Sequence, residues 1–138
     1  MLAPALQLSR RSLAKQRETP VGCLDLSHGR DLLFIGMSQT VQAYDVHHNV
    51  DVFCRELPEG VGCLMVGRCN NEMAPLLYVG SSLSIIGLDH AGKEQMWTVS
   101  NGDVMVLASA DADDDGKHEI LAGTAASDIL VLKEVLYL

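Results

Sequence analysis

From about residue 20 the chain alternates short apolar runs with short polar breaks, and the runs recur in phase. "VGCL" stands at Val21–Leu24 and again at Val61–Leu64, and the related run "VMVLASA" opens at Val104. Each is followed by a polar patch and then by a run that ends on glycine: "DLLFIG" at Gly36, "PLLYVG" at Gly80 and "HEILAG" at Gly123, 44 and 43 residues apart. A further run follows each glycine, "TVQAYDV", "LSIIGLD" and "DILVLKE", with Asp45, Asp89 and Lys133 closing them at intervals of 44. A fourth run appears as "DVFCREL" and "KEQMWTVS", and its counterpart in the third unit is the terminal "VLYL".

Runs of this length, rich in Val, Ile and Leu and bounded by Gly, Asn, Asp and Ser, read as β-strands. No helical period is sustained after residue 19. "HNVD" and "HAGK" read as hairpin turns between the third and fourth strands. The phased glycines permit either a tight turn or a close approach of neighbouring backbone. Four antiparallel strands every ~40 to 50 residues is the repeat of a β-propeller blade. A sandwich also uses short strands and frequent turns, but it has no reason to repeat every fourth strand. The expected fold is therefore all-β, a partial β-propeller of about three four-stranded blades at residues 20–58, 59–101 and 102–138. Closed propellers have about four to eight blades. Three blades would expose an apolar face at each end, so the sequence is expected to be a fragment, a truncated gene product or an arc completed by another chain.

Composition changes this picture at one end only. The chain of 138 residues has 18 acidic and 10 basic residues and a formal net charge of −8, which argues against a nucleic-acid footprint. The first 17 residues hold Arg10, Arg11, Lys15 and Arg17 and no acid. Residues 1–19 thus form a separate basic segment, expected to be poorly ordered. Its short apolar part precedes the charges, the wrong order for a secretory signal, while its arginine-rich, acid-poor character also suits a transit peptide. No apolar run reaches the ~18 to 20 residues of a membrane span. Cys23, Cys54, Cys63 and Cys69 form no Cys-x-x-Cys pair, and reduced thiols are expected. Cys23 and Cys63 share a repeat position inside apolar runs, which suits core packing.

The one dense constellation is "SADADDDGKHEILAG", Ser109–Gly123. With Asp111 as position one, Asp113 is third, Asp115 fifth, Gly116 sixth, Lys117 seventh and Glu119 ninth. Alternating carboxylates on a tight loop can converge on one hard cation, and such oxygen donors suit Ca²⁺. The expected metal residues are Asp111, Asp113, Asp115, Lys117 through its backbone carbonyl, and Glu119. The loop is not an EF-hand, because position twelve is Ala122 and strands, not helices, flank it. It corresponds to the shorter calcium loop between the first two strands of integrin-type blades. The equivalent segments of the other units, "SHGRD" and "GRCNNEMA", lack the ladder of aspartates. A solvated acidic turn is the alternative. His47 and His48, beside Asp45 and Asp51, fall in a hairpin turn, and His118 adjoins the acidic loop. Trp97 is expected on an outer strand. No Gly-x-Ser-x-Gly, Walker A or Rossmann fingerprint is present, so no catalytic residue is assigned.

Three stretches, "LLFIGMSQTVQAYDVHHNVDVFCREL", "LDHAGKEQMWTVSNGDV" and "DADDDGKHEILAGTAASDILVLKE", resemble in content, order and spacing the N-terminal propeller of the Bardet–Biedl syndrome 2 family. The resemblance runs over about residues 20–134 and leaves residues 1–19 outside it. Members of that family are subunits of the BBSome, a coat-like complex that moves membrane proteins into and out of cilia. The resemblance implies a non-enzymatic scaffold whose partners are other BBSome subunits, notably a Bardet–Biedl syndrome 7-like protein. It also implies a place in the cytoplasm, at the ciliary base and in the cilium. Two other classes are weighed against it. A calcium-dependent adhesion module of integrin type calls for a secretory signal, disulfides and several calcium loops. A metal-dependent hydrolase calls for a base beside an open metal position.

Overall fold

A computed structural model of the chain describes residues 32–68 and 75–133. Among them all regular structure is β: ten strands in three antiparallel sheets of three, four and three strands. The first sheet holds β1 (Leu32–Met37), β2 (Thr40–Asp45) and β3 (Val50–Glu56). The second holds β4 (Cys63–Gly67), β5 (Leu76–Gly80), β6 (Ser84–Leu88) and β7 (Glu94–Val99). The third holds β8 (Val104–Ala110), β9 (Glu119–Thr124) and β10 (Ile129–Leu132). In each sheet the strands lie in chain order, joined as a meander. The arrangement is consistent with a partial, propeller-like β fold. The basic segment, the run at Val21–Leu24 with Cys23, "SHGRD", Cys69 and most of its loop, and the terminal "VLYL" lie outside the described residues.

The two-residue period decides which neighbour each side chain meets. Leu77 and Val79 of β5 join Leu64, Ile86 and Leu88 against Leu32, Phe34, Val41 and Ala43 of the first sheet. Leu76 and Tyr78, their alternates, join Cys63, Ile85 and Met96 against Val104, Ile120 and Ala122 of the third. The second sheet is therefore covered on both faces, and β5 and β6 are buried throughout. That is why their sequences read as continuous apolar runs rather than alternating ones.

The recurring glycines are explained by close approach. A Cβ on Gly36 would lie 2.7 Å from Val61 Cγ1, and one on Gly80 would lie 2.6 Å from Val104 Cγ1 and 2.6 Å from Cys63 Sγ. Val61 and Val104 open the next unit in each case, so the bare backbone of one sheet receives the first valine of the next. Hydrogen bonds repeat the same docking, Val61 N–H to Ser38 O at 2.9 Å and Val104 N–H to Ser81 O at 3.0 Å. Side chains add two clasps, one from the β3–β4 connection onto the second sheet and one between the first and second sheets. Glu59 accepts from the buried hydroxyls of Ser84 and Ser81, at 2.5 and 3.1 Å. Arg55 donates to Gly92 O at 2.8 Å and pairs with Glu94 at 3.3 Å.

One local expectation shifts. The turn after β2 is Val46–Asn49, with Asn49 at φ 55°, so Val50 and Asp51 of "HNVD" already belong to β3. Cys63 is buried, as its repeat position inside an apolar run suggests, and Cys54 is exposed on β3.

Candidate metal centre

The acidic loop spans the gap between β8 and β9, which pair from Ala110↔Glu119 down to Val104↔Thr124. The antiparallel ladder brings the loop's two ends together, so Asp111 and Glu119 start side by side. Between them Asp114 and Gly116 take positive φ, 61° and 84°, and turn the chain back twice. Gly116 has open space around its Cβ position, so its backbone angle, not packing, calls for glycine.

The loop's own amides fix its carboxylates. Asp111 accepts from the N–H of Asp115 at 3.1 Å and of Gly116 at 2.8 Å. Asp115 accepts from Lys117 N–H at 2.8 Å, and Glu119 from Ala112 N–H at 2.7 Å. As a result Asp111, Asp113, Asp115 and Glu119 each place one carboxylate oxygen within 4.8 Å of the others. Glu119 is buried at the floor, Asp111 half-buried, and Asp113 and Asp115 exposed. Four like charges this close repel unless a cation sits among them. The donors are all hard oxygens, which fits Ca²⁺ and not a thiolate- or imidazole-seeking metal.

Four of the five residues singled out in the sequence thus converge. The N–H of Lys117 donates to Asp115. One participant escaped the sequence reading. Lys133, just past β10, donates from Nζ to Asp113 Oδ2. This hydrogen bond holds the Asp113 carboxyl below its usual range, and the same contact raises the Lys133 ammonium. The available signal was its repeat position, where the other units carry Asp45 and Asp89.

The remaining candidates have structural roles. Asp45 is fully buried and accepts from His48 N–H at 3.0 Å and His48 Nδ1 at 2.9 Å, closing the β2–β3 turn. His118 is exposed, its Nδ1 3.3 Å from Ser109 Oγ. Trp97 lies on β7, the outermost strand of the second sheet, 53% exposed. The thiol of Cys63 is pushed up to about 11 by burial, which makes it a packing group and not a nucleophile.

These features define a repeat protein of stacked antiparallel sheets with one acidic loop on its third unit. Residues 17–67 match the family described as Ciliary BBSome complex subunit 2, N-terminal. The chain is 38% identical over 113 residues to BBSome complex member BBS2 of Rattus norvegicus, covering 82% of this chain and 16% of the relative. It is 37% identical over 113 residues to BBSome complex member BBS2 of Homo sapiens, with the same coverage of 82% and 16%. The match to BBSome complex member bbs-2 of Caenorhabditis elegans is 30% over 138 residues, covering 94% of this chain and 19% of the relative. The chain belongs to the BBSome subunit 2 family and corresponds to a small part of its members, 16 to 19% of the length of these three.

Proposed function

We propose that the chain is a non-enzymatic, propeller-type scaffold piece of a BBSome-like complex that traffics ciliary membrane proteins, with one structural Ca²⁺ at the acidic loop. The observation that carries the reading is similarity to BBSome subunit 2 proteins across most of the chain. Its partners on this reading are other subunits of that complex, among them a Bardet–Biedl syndrome 7-like protein, in the cytoplasm at the ciliary base and in the cilium. Association through sheet faces is supported by the third sheet, which leaves Val106, Ile129 and Val131 exposed. Among the described residues no helix is long and apolar enough to cross a membrane.

Asp111, Asp113, Asp115 and Glu119 are the residues that would hold the cation, with the Lys117 carbonyl as a fifth donor. Bound Ca²⁺ would neutralise the cluster and pin the β8–β9 connection. An adhesion propeller would use such a loop in the same way, and the family kinship is what favours the BBSome reading. The test is affinity capture of the tagged chain from ciliated cells, read by mass spectrometry against a tag-only control. Enrichment of BBSome subunits is expected, and their recovery at control level would contradict the scaffold assignment.

A further inference from the structure

We propose that the free edge of β7, centred on Trp97 and Val99, is a docking site for an extended segment of a partner protein, which adds to the second sheet as a fifth strand. The segment it fits is apolar at alternate residues, uncharged in its middle and basic at its ends.

β7 is the last strand of the second sheet, so one row of its main-chain groups has no neighbouring strand to pair with. The register shows which groups these are. Ser100, just past β7, donates its N–H to Leu83 O at 2.8 Å. Antiparallel pairs alternate between bonded and non-bonded. Thr98 and Met96 therefore turn their N–H and C=O inward, to Ile85 and Gly87 on β6. Trp97 and Val99 turn theirs outward, where no described residue pairs with them. Their side chains are 53% and 61% exposed. The bulge in the β6–β7 pairing lies before Met96, so the frame is regular from Met96 to Val99. A row of alternating outward donors and acceptors is satisfied by an extended backbone, and the flanking side chains select what that backbone carries.

The last strand of the first sheet makes the contrast. β3 carries Asp51, Arg55 and Glu56, charges of the kind that keep an edge from pairing. From Gln95 to Gly102 the chain has no charged residue and no proline. Glu94 and Asp103 bracket this stretch, and both are exposed. Arg55 pairs with Glu94 at 3.3 Å, which leaves Asp103 and the overall charge of −8 to set the sign of the surroundings. An incoming strand with basic ends matches that sign, and valines opposite Trp97 and Val99 match the apolar surface between.

Trp97 is the single tryptophan of the chain, so its fluorescence reports on this edge alone. The probe is the synthetic peptide Lys-Thr-Val-Thr-Val-Thr-Lys, titrated into the full chain. Saturable binding with a blue shift of Trp97 emission is expected. Val99→Pro removes the outward N–H and spares the pairing with β6, and it should weaken binding at least about tenfold. The same peptide N-methylated at both valines should bind at least about tenfold more weakly to the wild type. No saturable binding by the wild type overturns the proposal. Undiminished binding of the N-methylated peptide, or by Val99→Pro, overturns it too, because the contact would then rest on side chains alone. Sedimentation of the wild type and Val99→Pro tests the other occupant. Both are expected to run as monomers, and a wild-type dimer that Val99→Pro dissolves would replace the partner strand by a second copy of this chain.

Discussion

Ile85 and Ile129 occupy one point of register in two successive sheets. Each stands on the strand after the repeat glycine and directly opposite it, Ile85 across from Gly80 and Ile129 across from Gly123. Yet Ile85 is fully buried and Ile129 is 74% exposed. The residue, the strand and the register are the same, so burial here is conferred by the sheet stacked next, not by the local sequence. The glycines make the same point. Gly80 receives Val104 from the third sheet, whereas a Cβ at Gly123 would meet only Val106 of its own sheet.

The comparison is broken most directly at the isoleucines. Ile85→Ala should cost about 2–4 kcal/mol, the usual range for a buried aliphatic truncation, and Ile129→Ala about 0.5 kcal/mol or less. Urea denaturation of both variants of the full chain measures this, and equal losses would mean that the two sites are not in different environments. Next in size is Gly80→Ala, which forces a methyl against Cys63 and Val104 and should cost about 1–3 kcal/mol. Gly123→Ala should cost less, since the exposed Val106 can turn aside. A smaller effect, about 1 kcal/mol, is expected for Gly116→Ala, where only the positive φ opposes a side chain.

The cysteines sharpen the same contrast chemically. Native Cys54 should alkylate at pH 8 at least about tenfold faster than Cys63, whose thiol is both buried and held protonated, and peptide mass spectrometry resolves the two. The raised Cys63 value also has a sign for stability. Above the ordinary thiol range the unfolded chain gives up this proton while the native state keeps it. The contribution is therefore full at neutral pH and is lost as pH rises toward about 11. A Cys63→Ser variant should lack that alkaline slope in urea titrations.

Much of the stacking is written in the sequence because it follows from period and phase. The recurrence of Gly36, Gly80 and Gly123 marks the register of successive units, and the uninterrupted "LLYV" and "SIIG" runs mark a sheet covered on both faces. The acidic loop was legible for a similar reason. Its carboxylates alternate on a short connection whose ends a strand pair must bring together, so Asp111, Asp113, Asp115 and Glu119 had little choice but to converge. Lys133 was not legible, because its partner lies 20 residues away and only the packing of β10 beside β9 brings them into contact. The β2–β3 turn shifted by two residues because Asn49, which tolerates positive φ, closes it from within.

The claim that the third sheet carries a structural cation site is tested most directly by amide hydrogen exchange across residues 111–119 of the full chain, with and without saturating Ca²⁺. Exchange at Ala112, Asp115, Gly116 and Lys117, whose N–H groups donate to the candidate ligands, should slow by at least about tenfold when the ion fixes those carboxylates. Exchange that is the same in millimolar Ca²⁺ and in chelator would contradict the account.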